Sequence, residues 1–140
     1  MIRPRRSVLF MPGSNARALE KARSLPADGI IFDLEDSVAP EEKPNARTQI
    51  AQVMSQGGFG GRELVIRTNA PASPFWQDDS ALAAQARPDA ILVPKIAGPE
   101  DVAAIGARLD QLGADPAIRL WVMIETPLAV LKIAEIAACA

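Results

Sequence analysis

The stretch from Gly29 to Val38 constrains the fold of this chain more than any other part of it. Three large apolar residues at 30–32 lead directly into three carboxylates, Asp33, Glu35 and Asp36. A short apolar run entered by a glycine is typical of a strand that is buried on both faces, as in parallel sheets. Because carboxylates enter an apolar core only at a large desolvation cost, the strand must end here. The carboxylates therefore either line a ligand site at the carboxyl end of a strand or form a solvated loop that caps the next helix.

The alternation of an apolar strand with a helical segment recurs along the whole chain. Strands are predicted near 7–11, 29–34, 63–67, 90–93 and 118–124. Helices are predicted from 14 or 15 to 24, at 40–55 and 78–86, from 99 onward, and at 128–138. No hairpin signal separates the strands, so the pattern predicts an α/β fold with a parallel sheet and right-handed crossovers. Both an open doubly wound sheet and part of a (β/α)8 barrel fit this pattern. The first strand–helix turn lacks the glycine pattern of dinucleotide folds.

Composition narrows the classes of protein to which the chain can belong. A length of 140 residues and an apolar fraction of 49% suit one globular domain, and a net charge of −2 argues against a nucleic-acid partner. No apolar run has the length of a membrane span, and the start of the chain lacks the apolar segment of a secretory signal. The single cysteine, Cys139, is expected to be a small buried residue, and its lack of a disulfide partner fits a cytoplasmic location.

The chain contains no histidine, which limits its possible chemistry. This excludes Ser-His and Cys-His nucleophiles and histidine-ligated zinc within these 140 residues. Any reaction must therefore use Asp, Glu, Lys, Arg or a metal ion bound by oxygen ligands.

Charged residues follow most of the predicted strands, whereas the strand starts offer little comparable charge. Arg67, Lys95 and Glu125 each follow a strand, so they are expected to meet the carboxylates after residue 32 at one edge of the sheet. Arg67 either binds a substrate carboxylate with its bidentate fork or is a structural partner of Glu35 or Asp36. Lys95 either joins the site or faces solvent. Glu125 is expected to be mostly buried and so to need a cation or donors, and Mg²⁺ is a cation that prefers oxygen ligands.

Six segments in this order resemble the citrate lyase β-subunit (CitE-like) group of the HpcH/HpaI aldolase superfamily. The segments are 6–13, 28–38, 43–47, 65–69, 93–95 and 123–127. The resemblance implies a TIM (β/α)8 barrel, of which residues 1–140 form about the first five β/α units of a single domain. It also implies a Mg²⁺-dependent carbon–carbon lyase, with Mn²⁺ as the alternative metal. That lyase would cleave citryl-, malyl- or citramalyl-CoA to an acyl-CoA and a 2-oxo acid. A homotrimer is expected, and other citrate lyase subunits are possible partners.

The resemblance also implies roles for individual residues. Glu125 would ligate the metal, and the second metal carboxylate, an Asp on the next strand, would lie beyond residue 140, so this chain alone is expected to bind metal poorly. The catalytic set would be Arg67, Glu35 and Asp36, with the two carboxylates holding metal-bound waters. Substrate contacts would come from Arg67, Asn69 and Lys95. Weaker candidates for binding coenzyme A phosphates are Arg5, Arg6, Lys43 and Arg47.

Two alternative functions remain. One is a pyruvate-type class II aldolase of the same superfamily, although that branch relies on a histidine that is absent here. The other is a non-catalytic fragment that binds coenzyme A or a partner.

Overall fold

A computed structural model describes residues 3–139 of the chain. Met1, Ile2 and Ala140, which complete the domain predicted over 1–140, lie outside the described residues. One parallel sheet contains the strands β1 (Val8–Pro12), β2 (Gly29–Asp33), β3 (Glu63–Arg67), β4 (Ala90–Val93) and β5 (Arg119–Val122). The helices are α1 (Ala16–Ala22), α2 (Lys43–Gln56), α3 (Trp76–Ala86), α4 (Pro99–Gln111), α5 (Pro127–Leu131) and α6 (Ile133–Ala137).

The order of the strands distinguishes between the two architectures that the sequence leaves open. Each strand pairs in parallel with the next strand along the chain, from β1 to β5. A doubly wound sheet reverses its order at a switch point, whereas a (β/α)8 barrel keeps sequential order. Within residues 3–139, β1 and β5 each have one neighbouring strand, so the sheet is open. The predicted α/β fold with a parallel sheet is confirmed, and the chain contains only part of a barrel.

The central strands are buried on both faces, as the apolar runs predict. All five residues of β2 and all four of β4 are buried. Because successive side chains of a strand point to opposite faces of the sheet, the buried apolar side chains form two clusters, one on each face. The cluster under the helices includes Ile30, Phe32, Ile66, Ile91 and Val93. The smaller cluster, on the other face, contains Ile31, Val65, Ala90 and Leu92.

The second helix starts later than the sequence pattern indicates. Pro40 begins a short 3-10 turn, Pro40–Glu42, and the α-helix starts at Lys43. Pro44 has no N–H to donate to the carbonyl of Pro40, so one continuous α-helix from Pro40 cannot form.

The amino edge of the sheet is charged, contrary to the expectation for the strand starts. Three N-terminal arginines cross this edge and each pairs with a carboxylate at or just before a strand. The pairs are Arg3 with Asp89 (2.8 Å), Arg5 with Glu63 (Nη2 to Oε1, 2.8 Å) and Arg6 with Asp28 (2.9 Å). The guanidinium of Arg5 also lies 5.1 Å from the ring centre of Trp121. These contacts tie the N-terminal segment to four of the five strands.

The C-terminal segment differs from the single buried helix predicted at 128–138. It forms two short helices, and Leu131 is 83% exposed and Ile133 53% exposed. Cys139 is also exposed rather than buried. The reason is that β5 is the last strand of the described sheet and is itself only half buried, so the outer sides of these helices have nothing to pack against. No helix within residues 3–139 combines the length and apolarity needed to cross a membrane.

Candidate active site

A buried ion pair between Asp33 and Arg67 lies at the carboxyl edge of the sheet. The two residues end adjacent strands and are partners in the β2–β3 register. Arg67 Nε and Nη2 each donate to one carboxylate oxygen of Asp33, both at 2.7 Å. Asp33 is one of the three carboxylates that the sequence places at this edge, but the sequence assigned it no role in the site and no pairing with Arg67. Opposite charges at the last positions of neighbouring strands are the sequence signal that could have identified it.

The surroundings of this pair keep both side chains charged at neutral pH. Burial by itself would raise the pKa of Asp33, but hydrogen bonds from Arg67 and Ser37 outweigh it and hold that pKa below its ordinary value. For Arg67, burial lowers the pKa, and the hydrogen bonds to Asp33 together with nearby carboxylates raise it above its ordinary value.

Glu35 connects Arg67 to Lys95. Arg67 Nη1 lies 2.9 Å from Glu35 Oε2, and Lys95 Nζ lies 2.7 Å from Glu35 Oε1. The lysine does not approach along a hydrogen-bond direction, so the buried Oε1 is left without an aligned donor. The contact with Glu35 raises the pKa of Lys95. Asp36, by contrast, is 73% exposed and lies 3.9 Å from the same ammonium group.

Lys95 also fixes the position of Glu125. Its φ of +57° is in the left-handed region, which is uncommon for a residue other than glycine and is often found at functional sites. In this conformation its N–H donates to Glu125 Oε1 at 2.8 Å while its ammonium contacts Glu35. The loops after β2, β4 and β5 are therefore connected through one residue. Glu125 is exposed, not mostly buried as expected, because the strand before it lies at the sheet edge.

A polar cavity of about 280 Å³ adjoins these groups. Its wall includes Glu35, Asp36, Lys43, Asn69 and Lys95. A second cavity of about 290 Å³ lies between α4, β5 and α6 and is lined by apolar residues and a cysteine. The first cavity contains charged side chains with which a polar substrate could interact, and it is therefore the candidate active site. Arg67 and Glu125 are not part of its wall but contact Glu35 and Lys95, which are.

The four basic residues proposed for coenzyme A phosphates each have another partner. Arg5 and Arg6 lie at the amino edge of the sheet, whereas the candidate active site lies at the carboxyl edge. The ammonium of Lys43 is buried and donates to the carbonyls of residues 34 and 35, and burial lowers its pKa. Arg47 pairs with two carboxylates of α3. Binding of coenzyme A by these residues stays a prediction.

The carboxylates of the candidate active site supply only some of the ligands that a magnesium ion needs. No group of three or more His, Cys, Asp or Glu side chains within residues 3–139 could hold a metal ion. Glu125 uses one oxygen for the N–H of Lys95, and both oxygens of Glu35 face cations. These residues therefore do not by themselves form a metal site.

Comparison with known proteins gives a family match over nearly the whole chain. Residues 6–140 match the family described as HpcH/HpaI aldolase/citrate lyase. A (3S)-malyl-CoA thioesterase of Cereibacter sphaeroides is 44% identical over 135 residues, which are 96% of this chain and 45% of that protein. An L-malyl-CoA/beta-methylmalyl-CoA lyase of the same species is 37% identical over 143 residues, covering 97% of this chain and 45% of the lyase. The chain thus spans less than half the length of these relatives.

Solved structures resemble the fold as well. The crystal structure of protein CitE from Mycobacterium tuberculosis in complex with magnesium, acetoacetate and coenzyme A superposes with a TM-score of 0.75 at 25% identity. The match covers 98% of this chain and 47% of that one. The comparisons confirm the resemblance drawn from the six sequence segments.

Proposed function

The chain belongs to the HpcH/HpaI aldolase/citrate lyase family, and we propose on this basis that it supplies the amino-terminal part of an active site for 3-hydroxyacyl-CoA thioesters. The proposed reaction is carbon–carbon cleavage to an acyl-CoA and a 2-oxo acid. The observation that carries the proposal is the convergence of Arg67, Lys95, Glu35 and Glu125 at one edge of the sheet, beside a polar cavity. The carboxyl edge is where (β/α)8 enzymes place their catalytic residues.

Arg67 is the residue suited to hold the substrate. A guanidinium has five N–H donors. Arg67 uses Nε and one hydrogen of Nη2 on Asp33. Its Nη1 donates to Met123 Sδ and lies beside Glu35, so the second hydrogen of Nη2 remains for a substrate carboxylate. The buried aspartate keeps the guanidinium in one orientation. Together with the ammonium of Lys95, Arg67 would offset the negative charge that an enolate-like transition state develops.

Magnesium, with manganese as the alternative, is the proposed metal cofactor, and coenzyme A is part of the proposed substrate. The support is the CitE structure that contains magnesium, acetoacetate and coenzyme A. Glu125 is proposed as one ligand, and a second carboxylate would have to come from outside these 140 residues. When bound, the metal would polarise the carbonyl of the oxo acid. A cytoplasmic location, a homotrimer and an association with other citrate lyase subunits stay predictions.

Thioester hydrolysis is a second candidate, because the thioesterase relative is more similar to this chain (44% identity) than the lyase relative (37%). Both activities begin with the same class of thioester, so the arrangement of Arg67, Lys95, Glu35 and Glu125 supports either. Their products differ. A lyase cleaves malyl-CoA to acetyl-CoA and glyoxylate, and a thioesterase hydrolyses it with one water molecule to malate and free coenzyme A.

The test is a product assay with malyl-CoA. Because the chain spans 45% of the thioesterase relative, the assay uses both the chain alone and its fusion to the remaining part of that relative. Glyoxylate formation that stops in excess EDTA and returns with Mg²⁺ or Mn²⁺ is expected. Release of free thiol without glyoxylate would establish the hydrolase instead. A folded fusion that forms neither product would reject both candidates.

Arg67→Lys in the same fusion tests the assigned residue. An ammonium cannot reproduce the bidentate fork with which Arg67 holds Asp33, so the cation is no longer kept in one orientation toward a substrate carboxylate and kcat/KM is expected to fall by about 100-fold or more. Arg17→Lys, a matched change on the exposed side of α1, should leave kcat/KM unchanged. Equal rates for the two variants would remove Arg67 from the site.

A further inference from the structure

Asp79 of α3 is a fully buried carboxylate that none of the proposed roles uses. Its Oδ2 accepts the backbone N–H of Asn69 at 2.8 Å and the side-chain Nδ2 of Asn69 at 2.7 Å. Its Oδ1 accepts a hydrogen bond from Arg47 Nη1 at 2.9 Å. Breaking a buried pair is costly because it leaves a buried charge uncompensated, so this arrangement resists rearrangement.

The second hydrogen of the Asn69 amide is also engaged. Nδ2 donates to the carbonyl of Leu34 at 2.9 Å, and that carbonyl accepts a second bond from Lys43 Nζ at 2.7 Å. Rotating the amide by half a turn would place Oδ1 against two acceptors, the Leu34 carbonyl and the carboxylate of Asp79. The orientation of the amide is therefore set by its neighbours.

This arrangement determines what Asn69 can offer to a ligand. Asn69 forms part of the wall of the polar cavity, and both of its amide hydrogens point to protein acceptors. The only polar atom of the side chain left for a ligand is the acceptor Oδ1. An acceptor attracts a hydroxyl or N–H group and repels a carboxylate.

We propose that Asp79, held by Arg47, is a positioning residue that fixes the amide of Asn69 so that the cavity recognises a hydrogen-bond donor. For the substrates proposed above, that donor is the 3-hydroxyl group, and this part of the inference rests on the proposed function. Arg47 thereby acts through Asp79 and Asn69 rather than on coenzyme A.

Nuclear magnetic resonance of the 140-residue chain tests the positioning step without any substrate. The chain has three asparagines, at 15, 45 and 69, so their side-chain amide signals can be assigned by substitution. Both amide protons of Asn69 should exchange with solvent at least about tenfold more slowly than those of Asn15, whose Oδ1 rather than its amide hydrogens makes the helix cap. Equal exchange rates would overturn the proposal in the wild-type chain itself.

Variants of neighbouring carboxylates sharpen this test. Asp79→Asn should shift both Asn69 amide signals and speed their exchange. Asp78→Asn is the control. Asp78 is a neighbouring carboxylate that also pairs with Arg47 but is 69% exposed, and its substitution should leave the Asn69 signals unchanged. If the Asp79 variant does not fold, Arg47→Lys, which keeps a cation beside Asp79, should show a smaller shift in the same direction. Unchanged Asn69 signals in folded Asp79→Asn or Arg47→Lys protein would contradict the positioning role.

Binding of malyl-CoA and of succinyl-CoA, which lacks the hydroxyl group, tests the ligand step by calorimetry. In the fusion protein used for the product assay, the unmodified sequence should bind malyl-CoA about five- to tenfold more tightly than succinyl-CoA, and Asp79→Asn or Arg47→Lys should reduce that ratio. Equal affinity for both thioesters would overturn the hydroxyl assignment and leave the proposed function standing. Binding of neither would count against both, and the amide exchange of Asn69 would still decide the role of Asp79.

Discussion

Asp33 and Arg67 show how the position of one residue in a strand determines its chemical environment. Both side chains are nearly inaccessible to solvent, with side-chain exposures of 1% and 11%. Arg67 also lies over the ring of Phe10, with its guanidinium carbon 4.8 Å from the ring centre. The pair therefore contributes to the fold as well as to the candidate active site.

Loss of the Arg67 guanidinium is expected to destabilise the fold. Arg67→Met leaves the Asp33 carboxylate buried without a cation, so the free energy of unfolding should fall by about 3–5 kcal/mol. Arg67→Lys keeps the charge but loses the bidentate geometry and should have a smaller effect. Urea unfolding followed by circular dichroism measures both. Asp36→Asn, a control at a side chain that is 73% exposed, should change the free energy of unfolding by less than about 0.5 kcal/mol. Equal losses of stability in all three variants would contradict the stabilising role of the Asp33–Arg67 pair.

At the scale of secondary-structure elements, the turn after β1 determines how closely α2 packs on the sheet. A Cβ added to Gly13 would lie 2.7 Å from the carbonyl oxygen of Asp33 and 2.7 Å from Ile50 Cδ1. Both of these neighbours are buried, and the backbone of Asp33 cannot move without disturbing its pair with Arg67.

Gly13→Ala is therefore expected to destabilise the chain by about 1–3 kcal/mol through overpacking. A Cβ added to Gly106, in the interior of α4, would have no neighbour within 4 Å, so Gly106→Ala should raise the free energy of unfolding by about 0.5–1 kcal/mol. Thermal and urea unfolding of the two variants compare the sites directly. A stabilising Gly13→Ala would show that the turn has room to adjust.

The N-terminal segment makes stability depend on pH in the acid range. The hydrogen bond from Arg6 lowers the pKa of Asp28 to about 2 from an ordinary value of 3.8. Because the folded-state pKa is the lower one, the stabilisation is present above pH 3.8 and is lost as the pH falls toward 2. In Asp28→Asn, the free energy of unfolding should therefore fall less steeply than in the wild type as the pH drops from 3.8 toward 2.

Unfolding of the wild type and of Asp28→Asn at several pH values measures this slope. The pair is exposed at Arg6, so the difference between the two proteins should shrink in about 1 M salt. Parallel pH profiles at low salt would show that the Arg6–Asp28 contact does not persist in solution.

At the scale of the whole molecule, apolar surface is concentrated near the last strand. Four exposed apolar side chains lie within six consecutive residues: Leu128, Val130, Leu131 and Ile133. Contiguous exposed apolar surface promotes association between molecules. The opposite end of the sheet adds Phe10, which is 48% exposed.

The 140-residue chain is expected to self-associate with rising concentration. Val130→Lys together with Leu131→Lys should lower the apparent mass in sedimentation or light scattering, because two charges interrupt the apolar surface. Gln111→Lys, which adds positive charge at an exposed position of α4, is the control and should not lower it. A monomer at all concentrations in the unmodified chain would contradict this prediction.

Local sequence was sufficient to predict the repeating strand–helix architecture and the edge of the sheet at which the charged residues lie. Apolar runs and helical periodicity are properties of neighbouring residues, so the five strands and the helices between them could be predicted to within a few residues. The direction of parallel strands then placed Arg67, Lys95 and Glu125 at one edge.

Only the tertiary structure decided which charged groups meet and which side chains are buried. Asp33 and Arg67 are 34 residues apart, and Arg47 and Asp79 are 32 apart, so their pairing depends on strand register and on how α2 packs against α3. The exposure of Glu125, Cys139 and the C-terminal helices likewise follows from the place of β5 at the end of the sheet. Burial depends on what packs against an element, and residues adjacent in sequence do not specify this.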